Sequence, residues 1–120
     1  MSNKGFKSLI VWQRAKNLAV AIYKITEGGS LARDFGLRDQ MRRAAVSIPS
    51  NIAEGDERDT DKEAIRFFYI AKGSLAELIT QVEIAVEVGY LTSSQVEELA
   101  MESEKIAKML GALIKARREK

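Results

Sequence analysis

The sequence predicts an all-α protein, an antiparallel up-down-up-down four-helix bundle, and three observations favour this fold. The composition is rich in helix-forming residues and includes a single proline among 120 residues. Apolar residues recur at spacings of three and four in four segments, which places them on one face of each helix. The connections between the segments are short, so sequential helices should run antiparallel. One domain covering residues 1–120 is expected, because a chain of this length can bury one core.

The four predicted helices follow one another along almost the whole chain. They cover residues 8–27, 36–54, 61–88 and 92–118. Each is preceded by a side chain that can accept hydrogen bonds from the first free backbone amides: Ser8, Asp34, Thr60, and either Thr92 or Ser93. Thr60 and Glu63 have the spacing of a capping box. The Gly-Gly-Ser segment at 28–30 ends the first helix and opens a loop, and Gly89 ends the third helix.

The second helix carries the most distinctive pattern of the chain. Residues 36–55 read GLRDQMRRAAVSIPSNIAEG. The spacing gives this helix two patterned faces. The apolar face holds Leu37, Met41, Ala44, Ala45, Ile48 and Ile52. The opposite, polar face holds Gln40, Arg43, Ser47, Asn51 and Glu54.

Pro49 lies inside this helix, where it removes one backbone hydrogen bond at a cost of roughly 3 kcal/mol. Two structures fit the sequence: a continuous, kinked helix, or a helix that ends near Ser47 and restarts with Pro49 in its first turn. The apolar spacing that runs on through Ile52 favours the continuous helix. Ser47 and Ser50 flank the proline, and their hydroxyls could hydrogen-bond the backbone groups that it frees.

The third helix carries more apolar residues than one buried stripe needs, and its second face predicts a subunit interface. The residues assigned to this interface are Ile65, Tyr69, Gly73, Ala76 and Ile79. Gly73 costs roughly 1 kcal/mol against alanine in a helix interior. It is either a tolerated defect or a place where a neighbouring helix approaches closely, and we favour the second interpretation. The sequence therefore predicts a homo-oligomer.

Several classes of function are excluded by residue types that the chain lacks. It has no cysteine and no histidine, which removes disulfides, thiolate and imidazole chemistry, and the common zinc sites. Neither common glycine-rich phosphate loop is present. We therefore expect a protein that is not an enzyme, with no catalytic residue, metal or cofactor. The N-terminal segment lacks the pattern of a signal peptide and no apolar run is long enough for a membrane, so we expect a soluble, cytoplasmic protein.

Arginines concentrate around the start of the second helix, although the net charge of the chain is only +2. The cluster comprises Arg33, Arg38, Arg42 and Arg43. Arginine suits bidentate contact with phosphate. The acidic segment 54–61 lies at the other end of this helix. Basic residues at the start of a helix and acidic residues at its end both interact unfavourably with the helix dipole, so helix stability does not explain this arrangement. Repeated around a symmetric oligomer, the cluster would make a concentrated positive field. The alternative is a set of intersubunit salt bridges to Glu54, Asp56 or Glu57.

The C-terminal tail is also basic, and two explanations fit it. Its cations are Lys115, Arg117, Arg118 and Lys120. Cations at the end of a helix stabilise the negative end of its dipole, which explains the tail without a ligand. Contact with phosphate is the second explanation.

Residues 40–55, QMRRAAVSIPSNIAEG, resemble the signature of the four-helix-bundle proteins encoded in 23S rRNA intervening sequences. Three shorter pieces agree in order, VWQ at 11–13, GSLAEL at 73–78 and GYL at 89–91. The Gly-Gly-Ser segment at 28–30 departs from the pattern, since relatives often have a proline-containing turn there. The resemblance implies a left-handed antiparallel bundle, a homopentamer, and a suspected role with nucleic acid.

Accessory proteins of diversity-generating retroelements are related to this family and form basic pentamers that bind RNA and a reverse transcriptase. The present sequence is much less basic than that subgroup, so the resemblance favours the intervening-sequence type. No catalytic residue is implied. Our first hypothesis is a ring-forming, non-enzymatic bundle that binds structured RNA through Arg38, Arg42 and Arg43, with Arg33 and the tail as auxiliaries. The alternative is a protein–protein scaffold without direct contact to nucleic acid.

Overall fold

The computed structural model describes residues 5–119. This part of the chain is all α-helical and contains no β-strand, as the composition predicts. A short 3-10 helix, Gly5–Ser8, comes first. The α-helices that follow are α1 (Ile10–Ile25), α2 (Gly29–Arg33), α3 (Phe35–Asp56), α4 (Asp61–Glu87) and α5 (Ser93–Arg118).

The four long helices surround a main apolar core and a second, small apolar cluster, in a molecule whose Cα atoms span 46 × 21 × 21 Å. α3 packs against α1 and α4, and α5 packs against α4 and α1. We call the end that holds α2 and the turn between α4 and α5 the upper end. The lower end holds the turn between α3 and α4 together with the last residues of α5. Contacts between Arg117 and Asp56 define the lower end, and contacts between Tyr90 and Asp34 define the upper end.

The first helix begins later than the sequence predicts. Ser8 lies in the 3-10 helix, where its hydroxyl donates to the carbonyl of Gly5 at 2.8 Å. The prediction that Ser8 caps the first helix is therefore wrong, because its hydroxyl is occupied within the preceding turn. Leu9 holds the N-cap position instead, without a side-chain hydrogen bond. The 3-10 helix brings the Phe6 ring edge-on to Trp12, with the ring centroids 5.3 Å apart.

The predicted loop after the first helix contains the short helix α2. Leu31, at its centre, is buried in the core. Sequence patterns do not reveal this helix, because five residues are too few to show helical periodicity. The available signal in the sequence was Leu31, an apolar residue in the segment between two predicted helices. Burial of Leu31 fixes the upper end of the molecule and places Arg33 and Asp34 directly before α3.

The helix α3 runs without interruption from Phe35 to Asp56 with Pro49 inside it, so the favoured continuous helix is correct and the broken alternative is wrong. Asp34 caps it, since its Oδ1 accepts from the amide of Leu37 at 3.1 Å. Pro49 itself is buried. Packing of the apolar face on both sides of Pro49 therefore outweighs the lost backbone hydrogen bond.

The serines beside Pro49 do not act as predicted. The Ser47 hydroxyl pairs with the Ser74 hydroxyl of α4 at 2.8 Å. The Asn51 side-chain amide donates to the Ser47 carbonyl at 2.8 Å and to its hydroxyl at 2.9 Å. The middle of the polar face of α3 is thus turned towards α4 rather than towards solvent. This network satisfies polar groups between the two helices, as partly buried groups require.

The ends of α4 and α5 lie within one residue of the predicted positions. Thr60 accepts from the amide of Glu63 at 3.2 Å, which is the threonine half of the predicted capping box. The complete box forms at the start of α5, where Thr92 and Gln95 each bond the backbone of the other. Gly89 ends α4 with a φ of +86°, a conformation in which glycine is favoured. The amides of residues 89 and 90 then bond the carbonyls of residues 86 and 85, the pattern of a Schellman motif.

Gly55, rather than Gly73, marks a close helix approach. A Cβ atom added at Gly55 would lie 2.7 Å from Cε1 of Phe68 and 3.0 Å from the Ala64 carbonyl oxygen. The Phe68 ring is fully buried, so it has no room to move aside. A Cβ atom added at Gly73 would meet nothing within 4 Å. Within the chain, therefore, the close approach favoured for Gly73 is not found.

We predict opposite effects for alanine at these two glycines. Gly55→Ala should lower the free energy of unfolding by about 1–3 kcal/mol, because the added methyl group overpacks the contact between α3 and α4. Gly73→Ala should raise the free energy of unfolding of the isolated subunit by about 0.5–1 kcal/mol, since it improves helix propensity where space within the chain is open. Urea unfolding followed by circular dichroism measures both. Equal stability of the two variants would contradict the packing described.

Candidate nucleic-acid interface

The four arginines predicted to form one cluster all lie at the upper end, between residue 33 and the third turn of α3. Arg33 and Arg43 are exposed, and neither forms a salt bridge within residues 5–119. Arg38 and Arg42 are half-buried. The cluster therefore contains two arginines whose charge is open to a ligand and two whose guanidinium groups contact their own chain.

Arg42 joins α3 to the end of α1. Its Nε donates to the Thr26 hydroxyl at 2.9 Å, and Nη2 donates to the Tyr23 carbonyl at 3.4 Å. Thr26 is completely buried, and its hydroxyl in turn donates to the Ile22 carbonyl at 2.7 Å. A cation at these last carbonyls also suits the negative end of the α1 dipole. The guanidinium lies over the Tyr23 ring, with its Cζ 4.5 Å from the ring centroid.

Arg38 joins the start of α3 to α2 through one hydrogen bond and contacts two residues of α3 itself. Its Nη1 donates to the Ala32 carbonyl at 3.1 Å, and Nε donates to Asp39 at 3.0 Å. The Arg38 Cζ lies 4.8 Å from the centroid of the Phe35 ring. Each of the two half-buried arginines thus has one aromatic ring beside it and a backbone carbonyl that fixes its direction.

Asp34 connects three elements at the upper end. Its Oδ1 caps α3, and its Oδ2 accepts from the Tyr90 hydroxyl at 2.9 Å. The hydrogen bond to Asp34 and the negative charge of that carboxylate raise the pKa of Tyr90 above its ordinary value. The carboxylate of Asp34 is therefore engaged on both oxygens. Its two oxygens accept hydrogen bonds from the Leu37 amide and the Tyr90 hydroxyl of the protein itself.

The basic tail lies at the lower end, away from the arginine cluster. Arg117 bridges two carboxylates, with Asp56 and Asp61 each at 3.2 Å. Arg118 donates to the Tyr69 hydroxyl at 2.7 Å, while Lys115 is exposed. Lys120 lies outside the described residues. The structure thus separates the predicted nucleic-acid residues into two groups at opposite ends of a molecule 46 Å long.

Two of the three acidic residues suggested as intersubunit partners form salt bridges within their own chain, and the third, Glu57, is exposed and forms none within residues 5–119. Asp56 bonds to Arg117, and Glu54 forms a salt bridge with Arg58 in the next turn. Arg58 also lies beside the Phe67 ring, with its Cζ 4.9 Å from the centroid. The lower end is consequently a place where charges of both signs neutralise one another. The open positive charge of α3 lies at the upper end.

The predicted oligomer face of α4 is largely exposed. Tyr69, Gly73, Ala76 and Ile79 lie on the surface, whereas Ile65 is half-buried against a small cluster formed by Ala64, Phe68 and Ile114. The exposed apolar surface of α4 extends further than predicted, to Ile70 and Ile84, and continues at Val88 directly after the helix.

Two aromatic residues of the upper end are not among the site residues predicted from the sequence. Tyr23 and Phe35 are exposed at 44% and 63%. The sequence could have indicated their exposure, because neither belongs to the apolar stripe of its helix. Within residues 5–119 no cluster of three or more acidic side chains is arranged to hold a metal ion. In the same range no helix has the length and apolar character needed to cross a membrane.

The contacts of Arg42 and the exposure of Arg43 predict different roles for these neighbours. Arg42→Met should lower the free energy of unfolding by about 1–2 kcal/mol, because Thr26 and the end of α1 lose a donor. Arg43→Met is the matched control and should change stability by less than about 0.5 kcal/mol. Chemical denaturation of both variants tests this difference. An unchanged Arg42→Met protein would show that the guanidinium contacts contribute nothing to stability.

Comparison with known proteins gives one family. The model of the 23S rRNA-intervening sequence protein family matches residues 7–112. The chain is also similar to a crystal structure, at 1.70 Å resolution, of a protein with unknown function from the S23 ribosomal protein family of Bacteroides thetaiotaomicron VPI-5482. The two are 27% identical with a TM-score of 0.80, over 88% of this chain and 99% of that chain. No curated protein matches the sequence. Because the family model spans most of its length, the chain belongs to the 23S rRNA-intervening sequence protein family.

Proposed function

We propose that this protein is a non-enzymatic homo-oligomer that binds structured, rRNA-related RNA through the arginines of its upper end. One observation carries the proposal: Arg33 and Arg43 are exposed without an acidic partner in the described part of the chain, beside two arginines held in fixed positions. Open guanidinium groups suit phosphate, and neighbouring fixed ones add to the local positive potential. The family name, which refers to 23S rRNA, agrees with such a ligand.

The proposed architecture is an antiparallel up-down-up-down bundle of the four long helices, left-handed as the family resemblance implies. Short connections and the packing of each long helix against two others support it. In this arrangement every copy presents its arginine cluster at one end. A closed ring of copies would place all clusters on the same side and multiply a field that one subunit of low net charge cannot make.

The exposed apolar face of α4 supports the proposed oligomer. Tyr69 and Ile84 are each 46% exposed, they share one helix with Ile70 and Ile79, and Val88 follows directly after that helix. A second copy covering this face would remove apolar surface from water. Gly73 and Ala76 lie within the same face and would allow a partner helix to approach closely. A homopentamer is the state that the family resemblance implies, and the relation to retroelement accessory proteins stays a prediction from that resemblance.

A second candidate function is a protein–protein scaffold without direct contact to nucleic acid. A groove between α4 and α5 favours it, because its walls are mostly apolar and it opens to solvent. Its lining includes Ile79, Val82, Val86, Val96 and Leu99, with Glu83 and Glu87 beside them. Acidic side chains at this groove disfavour RNA there, so a partner in the groove would be a protein.

We predict that Arg33→Glu combined with Arg43→Glu abolishes most binding of a labelled rRNA stem-loop. Fluorescence anisotropy across a salt series measures the affinity. The dependence of log affinity on log salt should become shallower by about two, roughly one for each phosphate that the variant no longer neutralises. Both side chains are exposed, so the variant should fold normally.

The matched control for this experiment is Lys105→Glu combined with Lys108→Glu on α5. It makes the same change in net charge at two exposed lysines outside the arginine cluster. If the control loses as much affinity as the arginine variant, the interface is not at the upper end. If the unmodified protein does not bind RNA even at low salt, the scaffold becomes the leading function.

We also predict that Ala76→Arg converts the oligomer to a monomer of 13.4 kDa, measured by light scattering. The long charged side chain would lie at the centre of the exposed α4 face, where a partner subunit could not accommodate it. Ala112→Arg, at an exposed position of α5, is the control and should keep the mass of the oligomer. A monomeric unmodified protein at micromolar concentration would refute the oligomer.

A further inference from the structure

We propose that the upper end binds unpaired nucleotides, whose bases stack on the rings of Phe35 and Tyr23. This inference rests on the proposed RNA binding and specifies its ligand: single-stranded RNA, as found in loops, bulges and ends, rather than continuous duplex. Four features of the upper end support it, namely the exposure of the two rings, their fixed positions, the surrounding charge and a polar hollow.

The first feature is the exposure of the two rings. Phe35, at 63%, has the largest exposed fraction among the exposed large hydrophobic side chains of residues 5–119, and Tyr23 is exposed at 44%. Neither ring belongs to the buried core. Aromatic faces left in water are surfaces on which a base can stack with a gain of about 1–3 kcal/mol.

The second feature is that an arginine holds each ring in place. Arg38 lies beside Phe35 and Arg42 beside Tyr23, with Cζ-to-centroid distances of 4.8 and 4.5 Å. Both guanidinium groups are directed by hydrogen bonds to backbone carbonyls, of Ala32 and Tyr23. The two arginines are one turn apart on α3, so the two ring–arginine pairs are neighbours. Such a surface is already ordered and loses little conformational entropy when a base stacks on a ring or on a guanidinium plane.

The third feature is the charge around the rings. Residues 23–43 contain five basic and three acidic side chains. Two of those acids are engaged, Asp34 by the amide of Leu37 and by Tyr90, and Asp39 by Arg38. The exposed cations are Lys24, Arg33 and Arg43. They can contact the phosphates of a strand whose bases lie on the rings, which is the pattern of single-strand binding surfaces.

The fourth feature is a shallow hollow beside Phe35. Ser30, Arg33, Asp34 and Tyr90 line it together with Phe35 itself. Ser30 and Arg33, both exposed, supply a hydroxyl and a guanidinium group among the residues that line this hollow. A base stacked on Phe35 would bring its polar edge within reach of them. This combination of a stacking face and edge contacts is how proteins recognise unpaired bases.

A duplex ligand would leave the two rings without a function. Bases in an A-form duplex are covered by their neighbours, and only backbone and minor-groove atoms are accessible. A duplex would therefore be bound by the cations alone, and replacement of the rings would not affect it. The two classes of RNA thus predict different results for the same variant.

The experiment compares a labelled oligoadenylate of about ten nucleotides with a duplex RNA of similar length, by fluorescence anisotropy on the full chain. The variants are Phe35→Leu alone and Phe35→Leu with Tyr23→Leu, which remove the rings but keep apolar side chains and all charges. The control is Phe67→Leu at the lower end, a half-buried ring with an arginine, Arg58, beside it and outside the proposed oligomer interface. Light scattering of each variant is used to check that it keeps the mass of the oligomer.

We expect the double variant to lose at least about tenfold in affinity for oligoadenylate, with an unchanged salt dependence, because stacking and not phosphate contact is removed. Phe35→Leu alone should lose part of this, and Phe67→Leu should lose nothing. Equal binding of oligoadenylate by the double variant and the unmodified protein would overturn the stacking inference while leaving RNA binding intact. If Phe67→Leu loses as much affinity as the double variant, the stacking site is not at the upper end. Failure of the unmodified protein to bind either RNA would instead refute the proposed function, and this inference with it.

Discussion

The packing of α3 against α4 is the constraint on which the rest of the structure depends. Gly55 lets the two helices approach until only a hydrogen atom fits between its Cα and the Phe68 ring. About two turns nearer the start of α3, the Ser47 and Ser74 hydroxyls meet at 2.8 Å. Small residues and a polar pair at this interface fix the register of the helices, because a shift along the axis would unpair the serines and overpack the glycine. Pro49 lies buried between these two contacts in the sequence of α3, and α3 remains one helix through it.

The register of α3 determines what its arginines do. With the lower end of α3 fixed against α4, its first turns lie beside the end of α1 and beside α2. Arg42 then reaches the buried Thr26, and Arg38 reaches the Ala32 carbonyl. These two side chains, which the sequence alone marks as ligand contacts, also hold the upper end together. Arg33 and Arg43 remain exposed. A proposal for RNA binding therefore rests on the exposed pair, and the half-buried pair contributes charge and a fixed position for two rings.

Charge is distributed unequally between the two ends, although the chain as a whole is nearly neutral. At the lower end Arg117 bridges Asp56 and Asp61, so the basic tail and the acidic turn neutralise each other. At the upper end the carboxylate of Asp34 caps α3 and accepts from Tyr90, while two arginines keep their charge open. Net charge therefore underestimates the local field at the upper end, where exposed aromatic rings lie beside the cations.

The sequence by itself determined the helical class and the ends of α4 and α5, and it favoured a continuous α3, because periodicity, caps and glycines act over a few residues. It also identified the family, through residues 40–55. It did not reveal α2, the pairing of Ser47 with Ser74, or which glycine lies at a close contact. Tertiary structure alone decided these points, since each depends on a neighbour distant in the chain: Ser74 for Ser47, Phe68 for Gly55 and Thr26 for Arg42. The separation of the basic residues into two groups at opposite ends also depends on tertiary structure. Spacing along a helix shows which residues share a face, but it does not show which other element packs on that face.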